Sequence, residues 1–360
     1  MKKTIYFIIN DVSIAGGLSR VTLNLYDELK KLSKYNVKII SASISTNEFN
    51  DNNQDIINLG LVSPHKLSKF NKLWWYLKFI YKINLFLKDK NPDIVIGIGV
   101  LFNLCLSLYI SKSYKVYGAE HSYYGNNNKL IIKMRKLLYK RLDKIISLTK
   151  VDELKYKQFH NDIVTIPNFT NFYNNINTST QKNKNLLYLG RFTKIKGVDI
   201  LIDLMKDFFT KYPDWTLTMR GEGPLKNEII NKITEYQLSE NITIQEATND
   251  VEKEYLQSDI YLMTSRSEAF PMVLLEAQTF GLPIVSYDCN TGPSEIINDN
   301  KDGFLVPMGN DKLFLNKLEL LVNNYELRKK MGQQAVANVK KFYPNNIMKE
   351  WEEILDEKIN

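Results

Sequence analysis

The chain has 360 residues, of which 44% are hydrophobic and 24% charged, as is ordinary for a soluble globular protein. This length exceeds one typical domain, so two domains are expected. Its two cysteines, Cys105 and Cys289, lie far apart without metal-type spacing, which predicts no disulfide framework and suits a reducing cytoplasm. No run of about twenty apolar residues occurs, so no membrane-spanning helix is predicted.

The net charge of +8 is divided unevenly along the chain. Residues 1–180 contain 26 Lys and Arg against 13 Asp and Glu, whereas the remainder contains 22 against 27. A basic half suits nucleic acid, an anionic membrane or a phosphorylated acceptor. No RRM, KH or zinc-finger motif occurs, which argues against nucleic acid.

The chain begins with a strand, a glycine-containing turn and a helix. Thr4–Asn10 predicts the strand, and Gly16 and Gly17 predict a turn before a helix that Ser19 could cap. A Gly-Gly turn at this place allows a ligand's phosphate to approach the backbone, and a tight turn without a ligand is the alternative. Asn47–Asn58 predicts a polar loop.

Two basic segments follow. In His65–Lys90, lysines alternate with aromatic residues that include Trp74, Trp75 and Phe79. This pattern suits an anionic bilayer surface, and the alternative is a core helix whose lysines face solvent. Lys129–Lys144 predicts a second basic amphipathic helix, which either touches a membrane or is simply solvated.

A strand over Lys115–Ala119 leads directly to Glu120 and His121. Ligands of α/β sheets bind at the carboxyl ends of the strands, where His121 is expected to lie. A lone histidine is more often structural, but this position favours a role in a site.

The second half begins after Asn171–Lys184, a segment rich in Asn, Thr and Ser that is the best linker candidate. Leu186–Leu189 predicts the first strand of a second sheet, and Arg191 and Lys196 lie on the loop after it. Two cations on one loop can bind an anionic ligand such as a phosphate. A solvated charged turn is the alternative, and Lys194 between them suits that description.

Two glutamates mark the stretch Ser265–Glu295. Glu268 follows a predicted buried strand, Ile260–Met263, and Glu276 lies in the helix that comes next. A strand, a polar loop and a helix place ligands at a sheet's carboxyl edge, and helix-start amides favour an anionic ligand. The two glutamates could both face such a ligand.

Several of these segments resemble glycosyltransferase family 4, whose members are retaining enzymes with the GT-B fold. Glu268 and Glu276 match its E-x7-E signature, and Gly190–Gly197 matches its G-R-x4-K-G motif. Val164–Asn168 resembles its I-P-N segment, although Phe169 replaces the usual following glycine. Thr291-Gly292 also departs from the commoner Gly-Gly version.

The resemblance implies an α/β protein with two Rossmann-like domains facing each other across a deep cleft. We expect residues 1–170 to bind the acceptor, 171–185 to link the domains and 186–344 to bind the nucleotide sugar. Residues 345–360 are expected to form a helix that crosses back to the first domain.

The resemblance also implies a set of site residues. The expected catalytic residues are Arg191, Lys196, Glu268 and His121, and the expected substrate-binding residues are Gly16, Gly17, Glu276, Phe270, Pro271, Met272 and Val273. Because the chain has no Asp-x-Asp motif, neither a metal nor another cofactor is expected, and the nucleotide sugar is a co-substrate. Front-face attack with retention of the sugar's configuration is implied.

The implied function is transfer of a hexose or N-acetylhexosamine to a growing bacterial surface glycan, such as a capsule, on a polyprenyl carrier. UDP-sugars are favoured as donors, and GDP-mannose stays open. The protein would be cytoplasmic and peripheral at an anionic membrane, without a nucleic-acid partner. The alternatives are a GT-B phosphorylase or epimerase, a basic nucleic-acid-binding protein, and an inactive binding module.

Overall fold

The structure is a computed structural model that describes residues 2–14, 16–45, 54–64, 67–108, 113–174, 177–248 and 250–357. The chain divides into two compact units. The first comprises Met1–Asn168 with Asn345–Asn360, and the second comprises Phe169–Pro344.

A parallel sheet forms the centre of the first unit. Its strands are β1 (Lys3–Asp11), β2 (Tyr35–Ser43), β3 (Ile56–Asn58), β4 (Ile94–Ile98), β5 (Lys115–Ala119), β6 (Lys144–Ser147) and β7 (Ile163–Thr165). They are ordered β3-β2-β1-β4-β5-β6-β7. The strand order reverses at β1, which lies between β2 and β4, so a ligand crevice is expected at the carboxyl end of β1.

Helices connect these strands. They are α1 (Gly17–Lys31), α2 (Lys69–Lys90), α3 (Val100–Leu108), α4 (Lys129–Leu138) and α5 (Lys150–Tyr156). Helix α3 packs against both α2 and α4. One core joins α2, α3, α4 and α5 to the sheet and includes Trp75 and Phe79 of α2 together with Ile8 and Val95.

Four local predictions for this unit need correction. The predicted loop Asn47–Asn58 ends in strand β3, because Ile56 pairs with Ile39 of β2; residues 46–53 lie outside the described residues. Ser19 does not cap α1, which begins at Gly17, and its hydroxyl donates to the Asp11 carbonyl over 3.1 Å.

The two basic helices also differ from their predicted limits. Helix α2 begins at Lys69, where the Ser68 hydroxyl caps it by accepting from the Asn71 amide; residues 65 and 66 are not among those described. Helix α4 ends at Leu138 instead of continuing to Lys144. A 3-10 turn follows, and the chain then enters strand β6.

A second parallel sheet forms the centre of the second unit. Its strands are β8 (Asn185–Leu189), β9 (Thr216–Arg220), β10 (Ile242–Gln245), β11 (Ile260–Met263), β12 (Ile284–Asp288) and β13 (Gly303–Pro307). They are ordered β10-β9-β8-β11-β12-β13. The order reverses between β8 and β11, so the loops after these two strands flank the expected ligand crevice.

Seven helices of the described chain alternate with these strands or follow them. They are α6 (Val198–Lys211), α7 (Lys226–Glu235), α8 (Glu252–Leu256), α9 (Met272–Thr279), α10 (Pro293–Ile296), α11 (Asp311–Asn323) and α12 (Tyr325–Val339). The segment expected to be a linker packs on this unit where it is described. The Ser179 amide, for example, donates to the Phe280 carbonyl over 2.9 Å.

The last helix, α13 (Pro344–Asp356), packs on the first unit. Trp351, Ile354 and Leu355 are buried. The Tyr35 hydroxyl donates to the Asp356 carboxylate over 2.7 Å, and Lys34 forms an ion pair with the same carboxylate over 2.7 Å. Helix α13 is therefore part of the first unit's structure.

Candidate functional site

The loops after β8 and β11 are joined to each other at the switch point of the second sheet. The Thr264 hydroxyl donates to the Gly197 carbonyl over 2.8 Å, and the Arg266 amide donates to the Ile195 carbonyl over 2.7 Å. The Arg266 side chain also donates to the Lys194 carbonyl over 2.5 Å. These contacts bring Lys196 to the Glu268 loop.

Lys196 and Glu268 form an ion pair. The Lys196 Nζ lies 2.7 Å from Glu268 Oε1 and 2.8 Å from Oε2. The Glu268 side chain is 8% exposed and that of Lys196 26% exposed, so the ammonium group is the more accessible partner. A preorganised cation is therefore held at the carboxyl edge of the sheet.

Arg191 lies at the start of the same loop and is exposed. Its carbonyl accepts from the Thr193 amide over 2.9 Å and from the Tyr188 hydroxyl over 3.3 Å. These bonds fix the backbone of the loop that carries both Arg191 and Lys196. Two cations on one fixed loop can bind a diphosphate together.

Lys194 differs from these two cations. Its side chain is 60% exposed, and it pairs with Asp199 and with Glu228, each over 3.2 Å. Asp199 also accepts two bonds from Arg266, over 2.7 and 2.9 Å. Burial alone would raise the Asp199 pKa, but the bonds from Arg266 and Lys194 lower it to about 2. Lys194 thus takes part in holding the loop.

Glu276 lies on α9 and is buried, with 1% of its surface exposed. Its Oε2 accepts from the Tyr255 hydroxyl over 2.8 Å, and the Tyr255 ring stacks on Phe280 with centroids 5.1 Å apart. A buried carboxylate held by a tyrosine can accept further hydrogen bonds only from groups that fit closely against it.

The four expected substrate-binding residues, Phe270–Val273, lie at the N-terminal end of α9. Phe270 is buried and packs edge-on against Phe342, with ring centroids 5.5 Å apart. Pro271 precedes the first helical residue, so the amides of Met272 and Val273 belong to the first turn, where amides have no intrahelical acceptor. The turn favours an anionic ligand.

Four residues that sequence reasoning did not assign to the site support it: Thr264, Arg266, Tyr255 and Thr291. The Thr291 hydroxyl, which is buried, donates to the Glu268 carbonyl over 2.6 Å. This bond places Thr291, the residue that departs from the Gly-Gly pattern, directly behind Glu268. In the sequence, only this departure from the Gly-Gly pattern drew attention to Thr291.

The site glycines of the two units differ in whether the fold leaves room for a side chain. Gly197 has φ of +65°, and a Cβ there would overlap the Thr264 carbonyl oxygen. A Cβ on Gly16 or Gly17 would meet no described protein atom within 4 Å. The fold therefore requires a glycine at 197, whereas only an approaching ligand would require one at 16 or 17.

We therefore expect different results from alanine at these positions. Gly197→Ala should lower the free energy of unfolding by at least about 1 kcal/mol, because it adds a strained backbone conformation and a steric overlap. Gly17→Ala should leave the unfolding temperature unchanged and lower the rate of sugar transfer. Calorimetry and a transfer assay on both variants check this, and a Gly17→Ala enzyme of full activity would remove Gly17 from the site.

In the first unit, a buried network lies directly before His121. Glu120 is buried, forms an ion pair with the fully buried Arg135 of α4, and accepts from Asn103 over 2.7 Å. The Tyr139 hydroxyl donates to Glu120 over 2.5 Å. Arg135 lies in the segment that the sequence predicted to be a basic amphipathic helix. Its side chain is instead buried and holds Glu120 at the end of β5.

His121 itself is half-buried. Dense packing of protein around the imidazole lowers its pKa to about 4 from the usual 6.5, so the ring is neutral at pH 7. A neutral imidazole can donate or accept a hydrogen bond, but it does not supply a cation.

This lowered pKa has a consequence for stability. Between about pH 6.5 and pH 4 the unfolded chain binds a proton at His121 that the folded protein does not, so stability should fall as the pH falls through this window. In His121→Gln the free energy of unfolding should depend less on pH there. Urea unfolding at several pH values measures this, and parallel curves for both proteins would contradict it.

No group of three or more His, Cys, Asp or Glu side chains in the described parts of the chain could hold a metal ion. Arg191, Lys196 and the first-turn amides of α9 provide positive groups at the second unit's site.

Two family models match the chain. The model described as Glycosyl transferases group 1 matches residues 170–337, and the model described as Glycosyltransferase Family 4 matches residues 15–172. The first match contains the second unit's site, and the second contains Gly16, Gly17 and His121.

Curated relatives cover the chain at low identity. An amylovoran biosynthesis glycosyltransferase, AmsD, of Erwinia amylovora is 28% identical over 97% of this chain and 98% of its own. A Campylobacter jejuni α-1,4-N-acetyl-D-galactosaminyltransferase, named for an undecaprenol-linked acceptor, is 23% identical over 80% of this chain and 81% of its own.

Among solved structures, Staphylococcus aureus TarM, in complex with fondaparinux, α-GlcNAc-glycerol and UDP, matches with a TM-score of 0.84. The match covers 99% of this chain and 100% of that chain at 17% sequence identity. At that identity, the likeness shows a shared fold.

Proposed function

From the premise that the chain belongs to the group 1 and family 4 glycosyltransferases and has the GT-B fold, both as predicted from its sequence, we propose that it transfers a sugar from a UDP-sugar to a bacterial surface glycan. The observation that carries the proposal is the Lys196–Glu268 pair at the switch point of the second sheet. In the proposed complex, the Lys196 ammonium group contacts the leaving diphosphate and the Glu268 carboxylate contacts the sugar.

The proposed roles follow from charge. Cleavage of the bond between sugar and phosphate leaves a nucleoside diphosphate, whose developing negative charge must be stabilised. Arg191, Lys196 and the first-turn amides of α9 supply positive potential for it. Glu276 accepts hydrogen bonds from the ribose hydroxyls, and Glu268 with the Phe270–Val273 backbone holds the sugar.

We further propose that transfer retains the sugar's configuration and needs no metal. In front-face attack the leaving phosphate oxygen takes the acceptor's proton, so no separate protein base is required. In the first unit, Gly16, Gly17 and His121 lie at the carboxyl edge of the sheet, where they would contact donor phosphate, donor sugar or acceptor.

The proposed donor class is UDP-sugars, because the neighbour TarM was solved with UDP. The proposed acceptor is a growing glycan on a polyprenyl carrier, because the Campylobacter relative is named for an undecaprenol-linked acceptor and AmsD for amylovoran biosynthesis. A phosphorylase or epimerase of the same fold is the competing function.

A panel of nucleotide sugars tests the proposal. Purified protein is incubated with UDP-GlcNAc, UDP-GalNAc, UDP-glucose, UDP-galactose and GDP-mannose, with and without chelator, and released nucleotide is measured. Release from one UDP-sugar, undiminished by chelator, is expected. Release only from GDP-mannose or only with metal, or donor conversion without release, would contradict it.

We also propose that the protein acts at the inner face of the cell membrane, as a peripheral protein. No helix in the described part of the chain is long and apolar enough to cross a membrane. Support comes from the basic first half, where each Lys or Arg near an anionic surface contributes on the order of 1 kcal/mol. Sedimentation with anionic vesicles at low salt, much stronger than with neutral vesicles, is expected, and its absence would refute this part.

A further inference from the structure

Helix α2 has two apolar faces, and the described residues of the chain cover one of them. Trp75, Phe79, Ile83 and Leu87 are buried in the core of the first unit. On the rest of the helix, six large apolar side chains are half-exposed or more: Phe70 (71%), Leu73 (61%), Trp74 (61%), Leu77 (50%), Tyr81 (66%) and Leu85 (54%). Their three- and four-residue spacing places them on one stripe.

This stripe continues onto the neighbouring helices. Helix α3, which packs between α2 and α4, exposes Leu101 and Leu108. Helix α4 exposes Leu130, Met134 and Leu137. We call the solvent side of α2, α3 and α4 the outer helical face. Contiguous apolar surfaces of this kind mark sites of interaction with a protein or a membrane.

Charge indicates which partner fits the outer helical face. Residues 69–90 contain six lysines and one aspartate, and α3 contains no charged residue. Residues 129–141 contain no acidic residue and five exposed basic ones, whereas the sixth, Arg135, is buried. A second copy of the chain would bring these like charges together. An anionic bilayer accepts the apolar side chains below its headgroups and the lysine ammonium groups at its phosphates.

We infer that the outer helical face inserts into the interfacial layer of an anionic membrane, with α2 lying in the plane of the bilayer. This inference rests on the proposed membrane location and deepens it, because charge alone would give contact without insertion. Parallel strands return through helices that start at the carboxyl edge of the sheet. The first turns of α2 and α4 therefore lie toward the edge that carries Gly16 and His121, where a lipid-linked acceptor would arrive.

Trp74 is a natural reporter of insertion. It is 61% exposed, whereas Trp75, Trp215 and Trp351 are each 5% exposed or less. The protein is mixed with phosphatidylglycerol–phosphatidylcholine vesicles whose acyl chains carry bromine. We expect a blue shift of the tryptophan emission and quenching by bromine. Trp74→Phe should still bind the vesicles and should lose most of the quenching.

Salt separates insertion from surface attraction. Wild-type binding should persist in part at about 1 M salt, where charges are screened beyond about 3 Å. Leu73→Ser with Leu77→Ser should lower vesicle partitioning at high salt about tenfold or more, with unchanged thermal unfolding. Lys133→Glu with Lys136→Glu, the matched control, should weaken binding mainly at low salt.

Three results would overturn the inference. They are complete release at high salt, bound protein whose Trp74 emission bromine does not quench, and a dimer in sedimentation equilibrium that shields Trp74. Nucleotide release from the donor sugar, measured in parallel without vesicles, tells the two proposals apart. If it persists in any of these cases, the transferase proposal stands and only insertion is wrong.

Discussion

Lys196→Ala should lower turnover at least about a hundredfold, the scale for removing one preorganised donor to a developing charge. Arg191→Ala should act similarly, because both cations extend from one loop whose backbone is fixed by Thr264 and Arg266. Chelator should change neither the wild-type rate nor the size of these losses. The measurement is steady-state release of nucleotide in the presence of acceptor or water.

Lys194→Ala is the matched control for that loss. Lys194 lies two residues from Lys196, but its ammonium group pairs with Asp199 and Glu228. Its removal should cost little turnover, because its ammonium group is already neutralised by these two carboxylates and because Thr264 and Arg266 still hold the loop. Near-normal turnover in both Arg191→Ala and Lys196→Ala, or an equal loss in Lys194→Ala, would mean that the loop does not stabilise the leaving group.

The second large effect concerns the two glutamates, which should separate binding from transfer. Glu276→Ala should weaken the binding of UDP itself, because ribose hydroxyls are held equally in the ground state and the transition state. Glu268→Ala should leave UDP affinity nearly intact and reduce transfer. Calorimetry with UDP, beside turnover, distinguishes them, and the reverse pattern would exchange their roles.

Tyr255→Phe refines this test. The substitution removes the hydroxyl that donates to Glu276 and keeps the ring that stacks on Phe280. UDP affinity should fall less than in Glu276→Ala, because the carboxylate is retained but loses its support. If Tyr255→Phe lowered the transfer rate and left UDP affinity unchanged, Tyr255 would act with Glu268 on the sugar instead of with Glu276 on the nucleotide.

Much of the second unit could be predicted from the sequence because its signals are local. The run Ile260–Met263 is strand β11, and Met272–Thr279 forms α9. Arg191 and Lys196 lie in the segment between β8 and α6, because the strand before them was correctly predicted. Such assignments need only short-range patterns of apolar residues, glycines and prolines.

The supporting contacts could not be predicted, because they join residues far apart in sequence. Thr264 reaches Gly197 across 67 positions, and Tyr255 reaches Glu276 across 21. Neither Thr264 nor Tyr255 stands out by type or spacing. The ion pair between Lys196 and Glu268 likewise depends on the strand order of the sheet, which brings β8 beside β11.

Helix α2 shows a second limit of prediction from the sequence, which concerns the face of a helix that is buried. The pattern of its residues favoured either a core helix or a membrane surface, and the structure supports parts of both descriptions. Trp75 and Phe79 are buried, whereas the adjacent Trp74 is exposed. A helix that is apolar on nearly all sides has no periodicity to tell which face the sheet covers, so only tertiary packing decides.

The most direct test of the proposed site is a crystal structure of the protein with UDP bound. The expected complex has the diphosphate oxygens within about 3 Å of the Arg191 guanidinium and the Lys196 ammonium group, with the ribose hydroxyls on Glu276. A diphosphate that contacts neither cation, or a nucleotide bound away from the loops after β8 and β11, would contradict the assignment.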